Sequence, residues 1–376
     1  MSYLDKLLQG TEVEWKTLGE VAEIGTGSSN RQDEDENGIY PFYVRSKNIL
    51  SANSYEFDEI AVIVPGEGGI GDIFHYVEGK YALHQRAYRI HIIDNVIIGK
   101  FFYYVMTCHF KKYILSKSVG STSVSIRKPM LEKFSIPIPP LSVQEEIVRI
   151  LDKFTALEAE LEAELDCRKR QYEYYRDHLL TVNEQGLMNN QKVEWKTLGE
   201  VVGYEQPTKY IVKSNIYSNH FSIPVLTAGK TFILGYTDET IGVYKASNKP
   251  VIIFDDFTTA NKWVDFDFKV KSSAMKMITS KDESKTLLKY IYYYLNTLPS
   301  GLTEGDHKRQ WISNYSNKKI PVPPIEEQER IVAILDKFDT LAHSISEGLP
   351  KEIELRKKQY EYYRDQLLSF SKNEIN

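Results

Sequence analysis

An internal duplication constrains this 376-residue chain more than any local pattern does. VEWKTLGE occupies Val13–Glu20 and returns at Val193–Glu200. IPIPPLSVQEEIVRILDKF (Ile136–Phe154) returns as IPVPPIEEQERIVAILDKF (Ile320–Phe338), with 13 of 19 positions identical. RKRQYEYYRDHLL (Arg168–Leu180) returns as RKKQYEYYRDQLL (Arg356–Leu368), with 11 of 13 identical. Residues 21–135 and 201–319, between these blocks, share no convincing register. Matched frames imply one supersecondary plan used twice. Unmatched inserts imply two different jobs on that plan, so the chain reads as two variable heads on matched struts.

The struts read as long helices. After the stiff IPIPP run, Ser142 stands three residues before Glu145, a capping-box spacing that predicts a helix start there. Ile147, Ile150, Phe154, Leu157, Leu161 and Leu165, then Tyr172, Tyr175 and Leu179, follow at steps of three and four and mark one buried stripe. The second strut offers Ile331, Ile334, Phe338, Leu341 and Ile345, then Tyr360, Tyr363 and Leu367, with Gly348 and Pro350 expected to interrupt it before Lys351. A lone helix of this kind is marginal, so an antiparallel, coiled-coil-like pair is expected. Leu157–Glu164 reads LEAE twice in tandem, a natural ruler within the first strut.

The heads read as mixed α/β units. Glu59–Pro65, Ala87–Ile93, Lys249–Phe254 and Trp263–Val270 are β-rich runs, and each head ends helically, at Phe101–Leu115 and Ser284–Leu298, whose aromatics are expected to pack a core. The expected class is α+β with an internal twofold repeat. Its parts are a first head over 1–140, a central helix over 141–183, a second head over 184–324 and a C-terminal helix over 325–376. Cys108 and Cys167 lie apart from each other and from any histidine cluster, so no disulfide framework or zinc site is expected. No run approaches a membrane span and no secretory core follows Met1, so a cytoplasmic protein without membrane contact is expected. The net charge of −5 disfavours a polyanionic partner at first sight, but residues 194–319 hold 17 Lys+Arg against 13 Asp+Glu. The excess acid lies in the helical segments, leaving the heads free to meet nucleic acid.

The two variable heads, the PxPP run entering xxQExIVxILDKF, and RKxQYEYYRDxLL near the end of each strut resemble the specificity subunits of type I restriction-modification systems. The resemblance spans nearly the whole chain. It implies two target recognition domains, each reading one half of an asymmetric bipartite site in double-stranded DNA, joined by two long antiparallel helices. It also implies two copies of an adenine-N6 methyltransferase subunit and a restriction subunit as partners. S-adenosylmethionine, ATP and magnesium are expected on those partners, with no cofactor, metal or catalytic residue on this chain.

Motifs for chemistry on this chain are weak. Glu23-Ile-Gly-Thr-Gly27 looks like an S-adenosylmethionine turn but lacks a following helix, and no N/D-P-P-F/Y/W tetrapeptide is present. Asp72 with Glu78-Gly-Lys80, and Asp256 with Asp267-Phe-Lys269, fit the loose D…(D/E)xK pattern of a metal-dependent nuclease. Ordinary surface strands explain both. The remaining alternative is a helical tethering protein with no sequence preference.

Base edges and phosphates are met by Arg, Lys, Asn, Gln, His and Ser/Thr on loops. In the first head the candidates are Ser28, Ser29, Asn30 and Arg31; Arg45, Lys47 and Asn48; His84, Gln85 and Arg86; and Ser121, Thr122, Ser123, Arg127 and Lys128. In the second they are Lys209, Lys230, Thr258, Thr259, Asn261 and Lys262, then His307, Lys308, Arg309 and Gln310. Tyr172, Tyr175, Tyr360 and Tyr363 are expected to pack the helices. In a second reading the remaining faces, including Tyr174 and Tyr362, receive the methyltransferase that the resemblance implies, and all six are candidates for the subunit interface.

Overall fold

A computed structural model describes residues 3–117, 125–228, 231–299, 309–344 and 347–371. The chain divides into two compact units, residues 1–162 with 352–376, and residues 163–351.

The first unit runs α1 (Tyr3–Leu8), β1 (Glu14–Thr17), α2 (Leu18–Val21), β2 (Ala22–Thr26), β3 (Tyr40–Tyr43), β4 (Leu50–Ala52), β5 (Phe57–Pro65), β6 (His75–Leu83), β7 (Ala87–Ile92), α3 (Gly99–Lys117), α4 (Lys128–Glu132), β8 (Ser135–Ile138) and α5 (Leu141–Leu180). Six strands form one sheet in the order β2-β7-β5-β6-β3-β4, antiparallel except where β3 runs parallel to β6. The apolar run Ala61–Val64 makes β5 a central, buried strand. Phe101, Phe102, Tyr104 and Val105 of α3 share a core with Ile147 and Leu151 of α5 and with Leu367 and Leu368, so the aromatic helix packs the core as its composition predicts.

The second unit runs β9 (Leu187–Met188), β10 (Gln191–Lys192), β11 (Glu194–Thr197), α6 (Leu198–Val201), β12 (Val202–Glu205), β13 (Ile223–Leu226), β14 (Ile233–Thr237), β15 (Val251–Asp255), β16 (Asn261–Val264), β17 (Lys269–Val270), β18 (Met275–Ser280), α7 (Leu288–Leu295), α8 (Gln310–Ser313), β19 (Lys319–Val322) and α9 (Ile325–His343). Its strands make a four-stranded sheet, β12-β18-β15-β16, and a three-stranded one, β14-β13-β17. The run Trp263–Val270 is therefore two short strands in different sheets rather than one. Tyr290, Tyr293, Ile331 and Leu335 lie in one core with Tyr172 and Leu179.

The duplicated blocks account for what the units share. VEWKT pairs with the PxP run as a two-stranded antiparallel ribbon, Trp15 opposite Pro137 in one unit and Trp195 opposite Pro321 in the other. Thr17 then caps α2 and Thr197 caps α6. The Glu20 carboxylate accepts from the Thr17 amide at 2.6 Å, and Glu200 from the Thr197 amide at 2.5 Å, the glutamate arm of the T-x-x-E box; the threonine hydroxyls donate to the same carboxylates at 2.7 and 2.8 Å.

The strut starts one residue before the predicted cap. Ser142 sits inside the first turn of α5, and the carbonyl of Pro140 accepts from the amides of Val143 and Gln144. Pro324 does the same for α9. The chain turns into the helix directly from the proline run, whose extended residue before the helix already serves as N-cap. The second strut does break, but earlier than expected: α9 stops at His343, and the final helix already begins at Gly348, whose φ of +77° suits glycine, with Pro350 in its first turn, where a proline is tolerated. Within the first unit, Phe154 of α5 stacks on Tyr363 of the final helix at 5.3 Å, and Lys357 bonds Glu158 and Glu162. Within the second unit, Tyr175 of α5 stacks on Phe338 of α9 at 5.0 Å. Both pairings are antiparallel.

Each head is bolted to its strut by the same glutamine. Gln144, fully buried, accepts from the Ile98 amide at 2.9 Å and donates to the carbonyls of Val96 and Pro139 at 2.8 Å each. Gln328 accepts from the Leu287 amide at 2.9 Å and donates to the carbonyls of Lys285 and Pro323. Tyr104 and Tyr293 add a hydroxyl donated to Asp152 and Asp336 of the two ILDKF blocks.

Candidate nucleic-acid interface

In the first unit, five separate stretches meet at one rim. Gly27 makes this possible: a Cβ there would lie 1.8 Å from the Leu83 carbonyl oxygen. That close approach lets the Ser29 amide donate to Leu83 and the Gln85 amide donate to Ser29, joining loop 28–30 to the β6–β7 turn. The second glycine of the EIGTG run thus serves backbone packing. Residues 22–26 are strand β2 and Glu23 pairs with Arg89, so no nucleotide-type turn forms.

Glu56 anchors this rim. Its carboxylate accepts from the Ser28 amide at 2.7 Å and from the hydroxyls of Ser28 and Ser29 at 2.9 and 2.5 Å. Burial pushes its pKa up, but the bonds from Ser29, Ser28 and Leu83 outweigh this and hold it below the usual carboxylate range. Gln85 donates its amide to Asn30. Arg45, from the loop after β3, and Arg86, from the β6–β7 turn, both donate to Glu67 Oε1, at 2.5 and 2.8 Å. Lys47 and Asn48 are exposed on the same loop as Arg45. Arg31 pairs with Glu34, Lys128 with Glu132, and Arg127 stands exposed as the cap of α4. Ser121, Thr122 and Ser123 lie outside the described residues.

The second unit builds its rim on a buried ion pair. Lys276, 1% exposed, lies 3.4 Å from Asp256. Asp256 also accepts the Trp311 amide at 2.8 Å, and its carbonyl accepts the Gln310 amide. With its amide oxygen turned inward, Gln206 accepts from Lys276 at 2.9 Å and from Arg309 at 3.0 Å. Asp255 clamps the β15–β16 turn by accepting the Phe257 and Thr258 amides. Thr259, with φ +63°, is buried within that turn, a strained conformation for a β-branched residue. Thr259 and Gln310 are therefore framework, while Thr258, Lys262 and Arg309 are exposed and Asn261 is half-buried. Thr258 and Lys262 border an apolar pocket that also takes in Thr227 and Phe232. Lys209 pairs with Glu205. Lys230, His307 and Lys308 lie outside the described residues.

Both heads thus use one arrangement with different residues. The carbonyl just after an inner strand (Gly66 after β5, Asp256 after β15) accepts the amide of a residue late in the head (Ile126, Gln310), at 2.8 Å in each. Sequence reading missed Glu67, Glu56, Asp256 as an anchor, Gln206 and Lys276. For Lys276 a signal existed, since SAMKMITS puts a lysine among residues of an otherwise buried strand.

The nuclease triads fall apart. Asp72 pairs with Lys111, and the Lys80 ammonium lies over the Tyr55 ring. Asp267 bonds Lys245 and Ser247, while Lys269 bonds Glu239. Among the described residues, no group of three or more His, Cys, Asp or Glu is placed to hold a metal ion. On the struts, Tyr172 is buried and Tyr360 packs against the first unit's core, while Tyr175 and Tyr363 make the stacks described above. Tyr174 and Tyr362 are the outward pair, 65 and 62% exposed.

The family model for the type I restriction modification DNA specificity domain matches twice, over residues 11–166 and 190–355. The chain belongs to the type I restriction-modification specificity subunits. Among similar proteins, a putative type I specificity subunit of Haemophilus influenzae is 33% identical over 98% of this chain and 99% of its own length. The EcoR124I/EcoR124II specificity subunit of Escherichia coli is 64% identical over 196 residues; that match spans 50% of this chain and 48% of the relative. The crystal structure of a type I S subunit from M. genitalium shares the fold, with a TM-score of 0.66 at 16% identity over 96% of this chain and 98% of that one. As a specificity subunit, the chain has a role in DNA sequence recognition. Among its described residues no helix is long and apolar enough to cross a membrane.

Proposed function

We propose that this specificity subunit reads an asymmetric bipartite site in double-stranded DNA, one half-site per head, and is not itself an enzyme. The observation that carries this reading is the contrast between identical joints and different rims. Gln144 and Gln328 fix the two heads to their struts in the same way, while one rim is built on Arg45, Glu67 and Arg86 and the other on Asp256, Lys276 and Arg309. Matched frames with unlike reading surfaces suit two unlike half-sites. The repeated outward tyrosines, Tyr174 and Tyr362, suit two copies of one partner, the methyltransferase subunit. A restriction subunit completes the complex in the cytoplasm. S-adenosylmethionine, ATP and magnesium act on those partners.

Sequencing of N6-methyladenine in cells with and without this gene, partner subunits present, tests the reading. One split motif is expected to lose its methylation. A methylome that does not change overturns the proposal. The purified chain with magnesium is expected neither to cut nor to methylate DNA, and to support methylation once the methyltransferase subunit and S-adenosylmethionine are added.

A further inference from the structure

Three loops of the first unit converge on a single carboxylate. Glu67 Oε1 accepts from Arg45 Nη1 at 2.5 Å and from Arg86 Nη1 at 2.8 Å, with the three side chains 39, 43 and 60% exposed in that order. The hydrogen bond from Arg86 first, then the charges of both arginines, holds Glu67 below the usual carboxylate range, so it is ionised at neutral pH. Two guanidiniums this close repel each other, and Glu67 lets both keep their places before any ligand arrives. Each arginine commits Nη1 to Glu67, and each guanidinium carries further N–H donors.

The neighbouring imidazole adds a direction. His84 Nδ1 faces the Arg86 amide at 3.0 Å and accepts from it, which places the ring proton on Nε2. Burial first, then the charges of Arg45 and Arg86, lowers the His84 pKa and keeps the ring neutral. The outer edge of the cluster is thus rich in donors.

That cluster suits a neutral edge with adjacent acceptors better than it suits a phosphate. A carboxylate in contact with both arginines repels an incoming anion and cancels part of the charge a phosphate clamp needs. Guanine alone among the bases presents two neighbouring acceptors, N7 and O6, in the major groove; adenine and cytosine present amino donors that would oppose these groups. We propose that Arg45 and Arg86, buttressed by Glu67 and flanked by the Nε2–H of His84, read guanine in the half-site taken by the first head. This rests on the DNA-reading function proposed above, with Glu67 as a positioning residue.

The test uses the full chain in complex with its methyltransferase subunit and S-adenosylmethionine. The methylated motif is determined for the wild type and for Arg45→Ala, Arg86→Ala, Arg86→Lys and Glu67→Gln. The expected wild-type motif holds a guanine in one half-site. Each arginine variant is expected to lower the preference for that guanine by about 5- to 150-fold, the range of one bidentate base contact, with the other half-site unchanged. Arg86→Lys keeps the charge and loses the fork, so relaxation by this variant separates base reading from charge and from misfolding. Glu67→Gln is expected to weaken guanine preference while strengthening salt-sensitive binding to unrelated DNA. A motif without guanine in either half-site, or uniform weakening with the motif intact, overturns the assignment and leaves the function standing. A wild-type complex that methylates without any split motif overturns the function itself.

Discussion

The Tyr104 hydroxyl donates to the Asp152 carboxylate at 2.5 Å, tying the aromatic helix of the first head to its strut. Tyr293 makes the same bond to Asp336 in the other head. Both tyrosines are buried, and burial drives their pKa values well up, so they remain donors throughout the physiological range. Tyr104→Phe or Tyr293→Phe removes one charge-assisted bond to a partly exposed acid. The expected cost is about 1 kcal/mol each, seen as a lower urea midpoint with an unchanged slope. Methylation specificity should not change.

Gly27 has no room for a side chain against Leu83. Gly27→Ala is expected to displace the Ser28–Asn30 loop and impair one half-site, while the second head still selects its own sequence. Binding to oligonucleotides degenerate in one half-site at a time measures this. Loss of selection in both halves at once would show that the rim is not independent.

Glu56 gives that rim a pH dependence with a defined sign. Its pKa is lower in the folded chain than the ordinary value of about 4.5, so its stabilisation is complete above that pH and is lost as pH falls through the depressed value. Wild type and Glu56→Gln should therefore differ by about 1 kcal/mol at pH 7 and converge in acid. Denaturant titrations of the two proteins at pH 3 to 7 measure the gap. A gap that widens in acid would contradict the bonding at Glu56.

Arg309 is held by Gln206 at the surface of the second head. Arg309→Ala is expected to relax one position of a single half-site, costing about 1 to 3 kcal/mol of discrimination there. Equal loss at every sequence would instead make Arg309 a phosphate contact.

Much of this was legible because it was written twice. Strut positions, the presence of a break in the second strut and the outward Tyr174 and Tyr362 follow from periodicity and duplication. The anchors were hidden for physical reasons. Gln144 sits in a polar QEE run that looks like solvated helix, and only the fold shows its amide facing three backbone groups. Glu67 lies in a glycine-rich turn, and its partners Arg45 and Arg86 are 22 and 19 residues away. No local pattern reports such a meeting.

Deleting one LEAE, residues 161–164, removes about 6 Å of α5. Asp166 then moves into the place of Glu162, so Lys357 still meets an acid beside Glu158. The expected result is an unread spacer shorter by one or two base pairs, with both half-sites kept, read by methylome sequencing of the deletion strain. A changed half-site would contradict the separation of struts from heads.

The two ring stacks carry one more consequence. Phe154 and Tyr175 both belong to α5, one in each unit. Each is completed by the opposite copy of the repeat, Tyr363 for one and Phe338 for the other. A single repeat is thus a monomer with two unmatched halves of a joint, and only a second repeat can close both. The chain is in effect a homodimer fused end to end, in which the covalent link replaces concentration as the force that brings the protomers together. Fusion also frees the two copies to diverge, and the rims built on Glu67 in one head and Asp256 in the other have done so.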